Sequence, residues 1–314
     1  MTDSGVKILT INDFAEAFGA EPAEILFYCG KLIKKSDFRY KICSQEERER
    51  LFFDILSRCD EKKFSLSGPH RKPDWIKGWK EILNDFYESG LDLKSLIPKD
   101  IHAFGTRPLR YKGNYIIAES KTFELDFSLV FRHWLHSKFY KEFDTIYEFG
   151  CGTGRNLVQL QMLYPDKKYV GLDWVPESGE ILTAIAKKYG WHMQGFLFDF
   201  FNPDYDIKIL PNSLVYTAAA LEQIGDAHDK FIDYLLTQKP QLCVNVECIP
   251  EYYEDNLFDY VASTYHTSRN YLKGYLPRLL QLEQEKRVEI IAAKRLGFGS
   301  LYHEPYSYII WKIL

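Results

Sequence analysis

The stretch Glu148-Phe149-Gly150-Cys151-Gly152-Thr153-Gly154 decides the fold of this chain. It follows a short apolar run, Thr145–Phe149, and leads into a segment carrying Leu157, Leu160 and Leu163. An apolar run of that length reads as a buried strand, and the leucine spacing reads as one face of a helix. The glycines between them mark a tight strand-to-helix turn. Gly150 lets the chain leave the strand sharply, Gly152 lets a ligand approach the backbone, and Gly154 permits close packing at the helix start. The free amides of that helix start favour a carboxylate or another anion.

The next apolar run ends in Val170-Gly171-Leu172-Asp173, with Asp173 twenty-five residues after Glu148. An acid at the end of the second strand can accept hydrogen bonds from ribose hydroxyls. Turn, helix, strand and terminal acid together are far more specific than a glycine-rich turn alone. Dinucleotide sites space their turn as G-x-G-x-x-G, whereas this chain has G-x-G-x-G with an acid two residues earlier.

That pattern resembles the first motif of class I S-adenosylmethionine-dependent methyltransferases. The resemblance covers about Glu142 to Leu314, a little over half of the chain. It implies S-adenosyl-L-methionine as the cofactor. The turn of Gly150, Cys151, Gly152 and Gly154 would wrap its amino-acid part, and Glu148 would help hold the amino group. Asp173 matches the ribose-binding acid, and Trp174 the position beside the adenine ring. Asp199, followed by Phe200, matches the acid that meets the adenine amine. Thr217 lies where the family's fourth strand ends near the reactive methyl group. The preceding 140 residues faintly resemble the leading region of enzymes described as bacterial sugar O-methyltransferases.

From Asp144 onward, strands and helices alternate. Strands are expected at Thr145–Phe149, Lys168–Leu172, His192–Phe198, Ser213–Thr217, Leu242–Glu247, Glu289–Arg295 and Tyr306–Lys312. Helices are expected between them, at Arg155–Tyr164, Glu177–Tyr189, Asp229–Thr237, Asp255–Thr264 and Tyr271–Leu282. The expected fold is therefore α/β: a Rossmann-like, mostly parallel seven-stranded sheet covered on both faces. Its last strand should run antiparallel, because the link through Gly297 and Gly299 is too short for a crossover.

Residues 1–140 read as a mainly helical module with a small hairpin, and residues 141–314 as the cofactor domain. Asn12 is expected to cap a first helix closed by Gly19. Ser44 and Glu47 have capping-box spacing ahead of Leu51, Phe52, Ile55 and Leu56. Asp74 should cap a helix with Trp75, Ile76, Trp79, Ile82 and Phe86 on one side. The hairpin falls at Arg110–Ile117, around Lys112-Gly113-Asn114. The module is expected to cover the substrate cleft, with its aromatic residues and the pair Arg107 and Arg110 either as acceptor contacts or packed and solvated at the domain junction, and Gly105 and Gly113 allowing movement.

Methyl transfer to a hydroxyl needs an aligned acceptor and usually a base. Such groups should lie at strand carboxyl ends or in the loops above them. Glu247, His266 and His228 are the expected catalytic candidates. Glu222, Glu251, Tyr252 and Tyr265 are further polar groups in the same loops. The leading expectation is transfer to a hydroxyl of a small polar metabolite, a sugar among them. The alternatives are N-methylation of a small amine or a protein, and a scaffold that binds the cofactor without transfer.

The net charge is −4 and the pI about 6.1, with no long basic run, which disfavours nucleic acid as the main partner. The six cysteines include no C-x-x-C pair and read as scattered core thiols, with no metal expected. No stretch is apolar enough to span a membrane and the first ten residues are polar, so a cytoplasmic protein is expected. No oligomeric state is specified.

Overall fold

The computed structural model describes residues 5–97 and 107–314. Its centre is a seven-stranded sheet built from β5 (Thr145–Phe149), β6 (Lys168–Asp173), β7 (Met193–Leu197), β8 (Ser213–Ala218), β9 (Leu242–Glu247), β10 (Val288–Lys294) and β12 (Ser307–Ile313). The strand order is β10-β12-β9-β8-β5-β6-β7. Strands β5 to β9 pair in parallel, while β12 runs antiparallel to both β9 and β10. The expected α/β fold and the reversed last strand are both present, with strand ends shifted by one residue in most cases.

Alternation along the strands explains why both faces are covered. Ile146, Leu214, Tyr216, Val244 and Ile310 face one apolar layer, and Tyr147, Val215, Cys243, Ile309 and Trp311 face the other. Neighbouring residues on a strand point to opposite sides, so a strand apolar at both needs helices on both. The first layer receives α5 (Phe123–Phe139), α6 (Arg155–Leu163) and α7 (Pro176–Tyr189). The second receives α8 (Asp229–Gln238), α9 (Leu257–Arg269) and α10 (Tyr275–Gln284).

Residues ahead of α5 form α1 (Ile11–Phe18), α2 (Pro22–Lys35), α3 (Gln45–Asp60) and α4 (Lys72–Glu88). They also form more strand than the helical reading allowed. Strands β1 (Lys7–Ile8), β2 (Arg39–Ile42), β3 (Leu109–Tyr111) and β4 (Asn114–Ala118) join β11 (Phe298–Gly299) in a second sheet, ordered β1-β2-β4-β3-β11. The β3–β4 hairpin turns at Lys112 and Gly113 as expected. The rest of this sheet was hidden because its strands are two to four residues long and mostly exposed. Thr10, not Asn12, caps α1, in a capping box with Asp13. Asp74 lies inside α4, on Arg71. Gly105 lies outside the described residues.

Arg110 is no acceptor contact: it is fully buried. It donates to Asp259 at 3.0 Å, to Glu304 at 3.3 Å and to the Phe258 carbonyl at 3.0 Å. Arg295 holds the same two acids from the other side, reaching Asp259 at 2.6 Å and Glu304 at 2.7 Å. Two cations and two anions thus lock β3, α9 and the turn before β12 together. Among the described residues, no helix is long and apolar enough to cross a membrane.

Candidate functional site

The glycine turn sits where the sheet order reverses, between β5's neighbours β6 and β8. Gly150 and Cys151 donate to the Leu172 carbonyl at 2.7 and 3.1 Å, which ties the turn to the end of β6. Gly150, Gly152 and Gly154 have φ of 72°, 53° and 72°, a region that side chains rarely adopt. Space is also short. A Cβ on Gly150 would stand 2.3 Å from Cβ of Ala220, and one on Gly154 2.4 Å from Leu182. Gly154 therefore serves packing against α7.

A pocket opens above this turn. Gly150, Gly152, Asp173, Trp174, Phe200, Phe201, Ala219, Ala220, Gln223 and Ile224 line it, and Trp75 and Trp79 of α4 approach from outside. Asp173 is its acid: one oxygen accepts from the Gly152 amide at 2.8 Å and the other from the Val175 amide at 3.1 Å. Burial pushes its pKa up to about 6 against those bonds and the nearby Lys72. Lys72 also lies over the Trp174 ring at 5.9 Å. The site has one carboxylate at its floor and aromatic faces around it, which suits a ribose carrying a flat base.

Glu148 stands behind the turn rather than in the lining. It is fully buried, accepts from Asn156 at 2.6 Å, and leaves its second oxygen without a partner. Burial raises its pKa to about 8. Cys151 is buried beneath the turn. Asp199 accepts from the Phe201 amide at 2.8 Å and so shapes the loop that carries Phe200 and Phe201 into the wall. Thr217 is buried inside β8 and accepts from Asn245 at 3.0 Å. The chain enters the pocket two residues later, at Ala219, whose φ of 52° turns it off the strand.

Glu247 is fully buried behind that loop. It accepts from the amides of Ala220, Leu221 and Glu222, each at 3.2 Å. These amides open the short helical turn Leu221–Ile224, so Glu247 fixes the wall from which Gln223 and Ile224 face the pocket. Burial and then Glu222 raise its pKa to about 8. Glu222 is half-buried, accepts from Gln223 at 2.8 Å, and is pushed up to about 7 by burial.

Neither histidine lines the pocket. His228 precedes α8 and bonds the Lys273 carbonyl at 3.0 Å. His266 lies within α9, not in a loop after it, and its Nε2 meets the Leu272 carbonyl at 2.5 Å. Burial lowers both imidazoles, His266 to about 4. Of the remaining loop groups, Glu251 accepts from the Gly274 amide at 2.6 Å and Tyr265 stacks on Tyr302. The sequence pointed to the module's aromatic residues as a group near the acceptor, without naming Trp75 and Trp79 among them as pocket residues. Their i, i+4 spacing on an amphipathic helix reads equally well as core.

These raised acids make a pH prediction. An acid whose folded pKa lies above its ordinary value, 4.5 for Glu247, is protonated more readily in the native state. Stability is then full below that ordinary value and is lost as pH rises through the folded one. Ligand-free protein should melt at progressively lower temperature between about pH 5 and about pH 8. Glu247→Gln should flatten the slope, measured by calorimetric melting across that range. A slope equally steep in the variant would mean that Glu247 does not supply it.

The sequence matches no family model and no curated protein. Among solved structures, it is similar to an O-methyltransferase from neocarzinostatin biosynthesis in complex with S-adenosylmethionine and 2-hydroxy-5-methyl naphthoic acid. Identity is 14%, the TM-score is 0.41, and the match covers 62% of this chain and 58% of that one. It is also similar to OxaC in complex with SAH and oxaline, at 11% identity and a TM-score of 0.39, over 54% of this chain and 42% of that one. A third likeness is the cyclase SpnF, at 12% identity and a TM-score of 0.44, over 60% and 82%. The chain thus spans less than two thirds of the first two proteins. What defines the class is this chain's own strand order and glycine turn: a Rossmann-like methyltransferase fold with a pocket at the point where the strand order reverses.

Proposed function

We propose that this protein is an S-adenosylmethionine-dependent methyltransferase acting on a hydroxyl of a small polar molecule, sugars included. The observation that carries the cofactor reading is Asp173, bonded to the Gly152 amide at the floor of an aromatic pocket. The residues present suit the group. The glycine floor leaves room that a Cβ would fill, and Glu148 keeps one buried oxygen free. When bound, the sulfonium supplies an electrophilic methyl group. Asp173 would hold the ribose, Trp174 and Phe200 would pack on the base, and Asp199, which sets the loop of Phe200 and Phe201, would meet the base's amine. The turn from Gly150 to Gly154 would receive the amino-acid end, with Glu148 behind it. Trp75 and Trp79 form a roof that excludes water, which strengthens positioning and charge effects beneath it.

On the acceptor side, Gln223 offers its amide to a hydroxyl, and Glu222, which lies outside the lining and accepts from Gln223 at 2.8 Å, orients that amide. Glu247 is a positioning residue, acting through the loop it holds. His228 and His266 also lie outside the lining.

Calorimetry tests the cofactor: S-adenosylmethionine or its demethylated product should bind and NAD should not. Tighter binding of NAD would end the methyltransferase reading. Incubation with methyl-labelled cofactor and fractionated metabolites tests the acceptor by mass spectrometry. Label found on protein or RNA alone would reject the small-molecule part.

A further inference from the structure

Behind the wall formed by Leu221–Ile224 lies a second cluster. Cys248 follows β9, His266 lies on α9, and His303 lies in the turn between β11 and β12. All three are buried, and one ligand atom from each lies within 4.8 Å of the others. Their sequence separation conceals the grouping, since zinc motifs are read from short spacings such as C-x-x-C.

The imidazoles are prepared for a cation. His266 directs Nε2 at the Leu272 carbonyl, so that nitrogen carries the hydrogen and Nδ1 presents a lone pair. That Nδ1 is buried without a hydrogen-bond partner, as is Nδ1 of His303. A histidine bonded through its other nitrogen to a backbone carbonyl is the usual arrangement of a metal ligand.

The frame is rigid. His303 is followed by Glu304, which Arg110 and Arg295 clamp. Gly299 passes so close that a Cβ there would be 2.2 Å from the His303 carbonyl. Tyr265 and Tyr271 pack against the His303 ring at 5.3 and 5.5 Å. The Cys248 thiol faces Glu222 at 3.7 Å, so a carboxyl group borders the cluster. A thiolate and a carboxylate together would balance a divalent charge, and Arg110 and Arg269 are the neighbouring cations.

The geometry points to a transition-metal site, with Cys248, His266 and His303 as ligands to zinc. One sulfur and two imidazoles form a donor set that zinc accepts tetrahedrally, and magnesium and calcium do not favour it. The fourth position falls to water or to Glu222. Binding deprotonates Cys248, with the proton released to solvent. The ion would brace the wall that carries Gln223.

The full chain, stripped with a chelator, should bind one zinc ion in competition with a chromogenic chelator. Cobalt in its place should give tetrahedral visible bands and a thiolate-to-cobalt charge-transfer band. Cys248→Ser should abolish the charge-transfer band, and His303→Ala should weaken zinc by on the order of 100-fold. Cys43→Ser, a thiol outside the cluster, should change neither. Octahedral cobalt without a thiolate band in the unsubstituted chain would overturn the proposal, whatever the variants do. So would zinc stoichiometry unaffected by both ligand substitutions. These readouts use the metal alone, so their failure leaves the cofactor assignment standing.

Discussion

Arg110→Met should destabilise the fold by about 3–5 kcal/mol, the cost of removing one partner from a buried ion pair. The guanidinium is fully buried and contributes three separate bonds, to Asp259, Glu304 and the Phe258 carbonyl. It also stacks 3.5 Å from the centre of the Phe258 ring. Methionine replaces the packing but none of the charge. Two acids would then share Arg295 alone, leaving one buried negative charge without compensation. Arg295→Met should cost less, because Arg295 is about a fifth exposed and water can screen part of the loss. Urea unfolding of the two variants measures both values. A loss below about 1 kcal/mol for Arg110→Met would mean that the acids escape by protonation or solvation. Because the network ties the small sheet to α9 and the turn before β12, Arg110→Met should also loosen that turn. Faster amide exchange around Leu301–Glu304 would record it.

Asp173→Ala should weaken S-adenosylmethionine binding by about 2–3 kcal/mol, on the order of 30- to 150-fold. Two losses add. The ribose hydroxyls lose a charged acceptor, and the Gly152 and Val175 amides lose the group that now holds them. Asp173→Asn separates the two, since its carbonyl oxygen can still accept from one amide but carries no charge. It should fall between the parent and alanine. Three of the chain's six tryptophans, Trp75, Trp79 and Trp174, line the pocket, so intrinsic fluorescence reports binding alongside calorimetry. Wild-type affinity in Asp173→Ala would place the ligand elsewhere.

The sequence by itself determined the central sheet. Its strands are short apolar runs punctuated by glycine and polar turns, and their alternation demands two covering layers whatever else the chain does. The turn at Gly150–Gly154 and the acid Asp173 were legible because positive φ and close approach restrict those positions to few residue types. The α9 boundary was not. Thr264–Ser268 is polar and rich in residues that also suit loops, yet tertiary packing of Tyr265 and His266 carries the helix to Arg269. The second sheet was equally hidden, since strands of two residues have no period and β11 comes from far along the chain.

Only the tertiary structure decided what each polar side chain does. Glu247, His266 and His228 all sit near strand or helix ends, where sequence position alone makes them candidates. The structure turns Glu247 onto three backbone amides, and both histidines onto carbonyls, because buried donors and acceptors must find partners. It turns Arg110 inward onto two acids for the same reason. It also brings Trp75 and Trp79 to the pocket and gathers Cys248, His266 and His303 at one point. A sequence specifies such partners only through the full set of long-range contacts. Local periodicity gives the face a residue occupies but not the group that waits opposite.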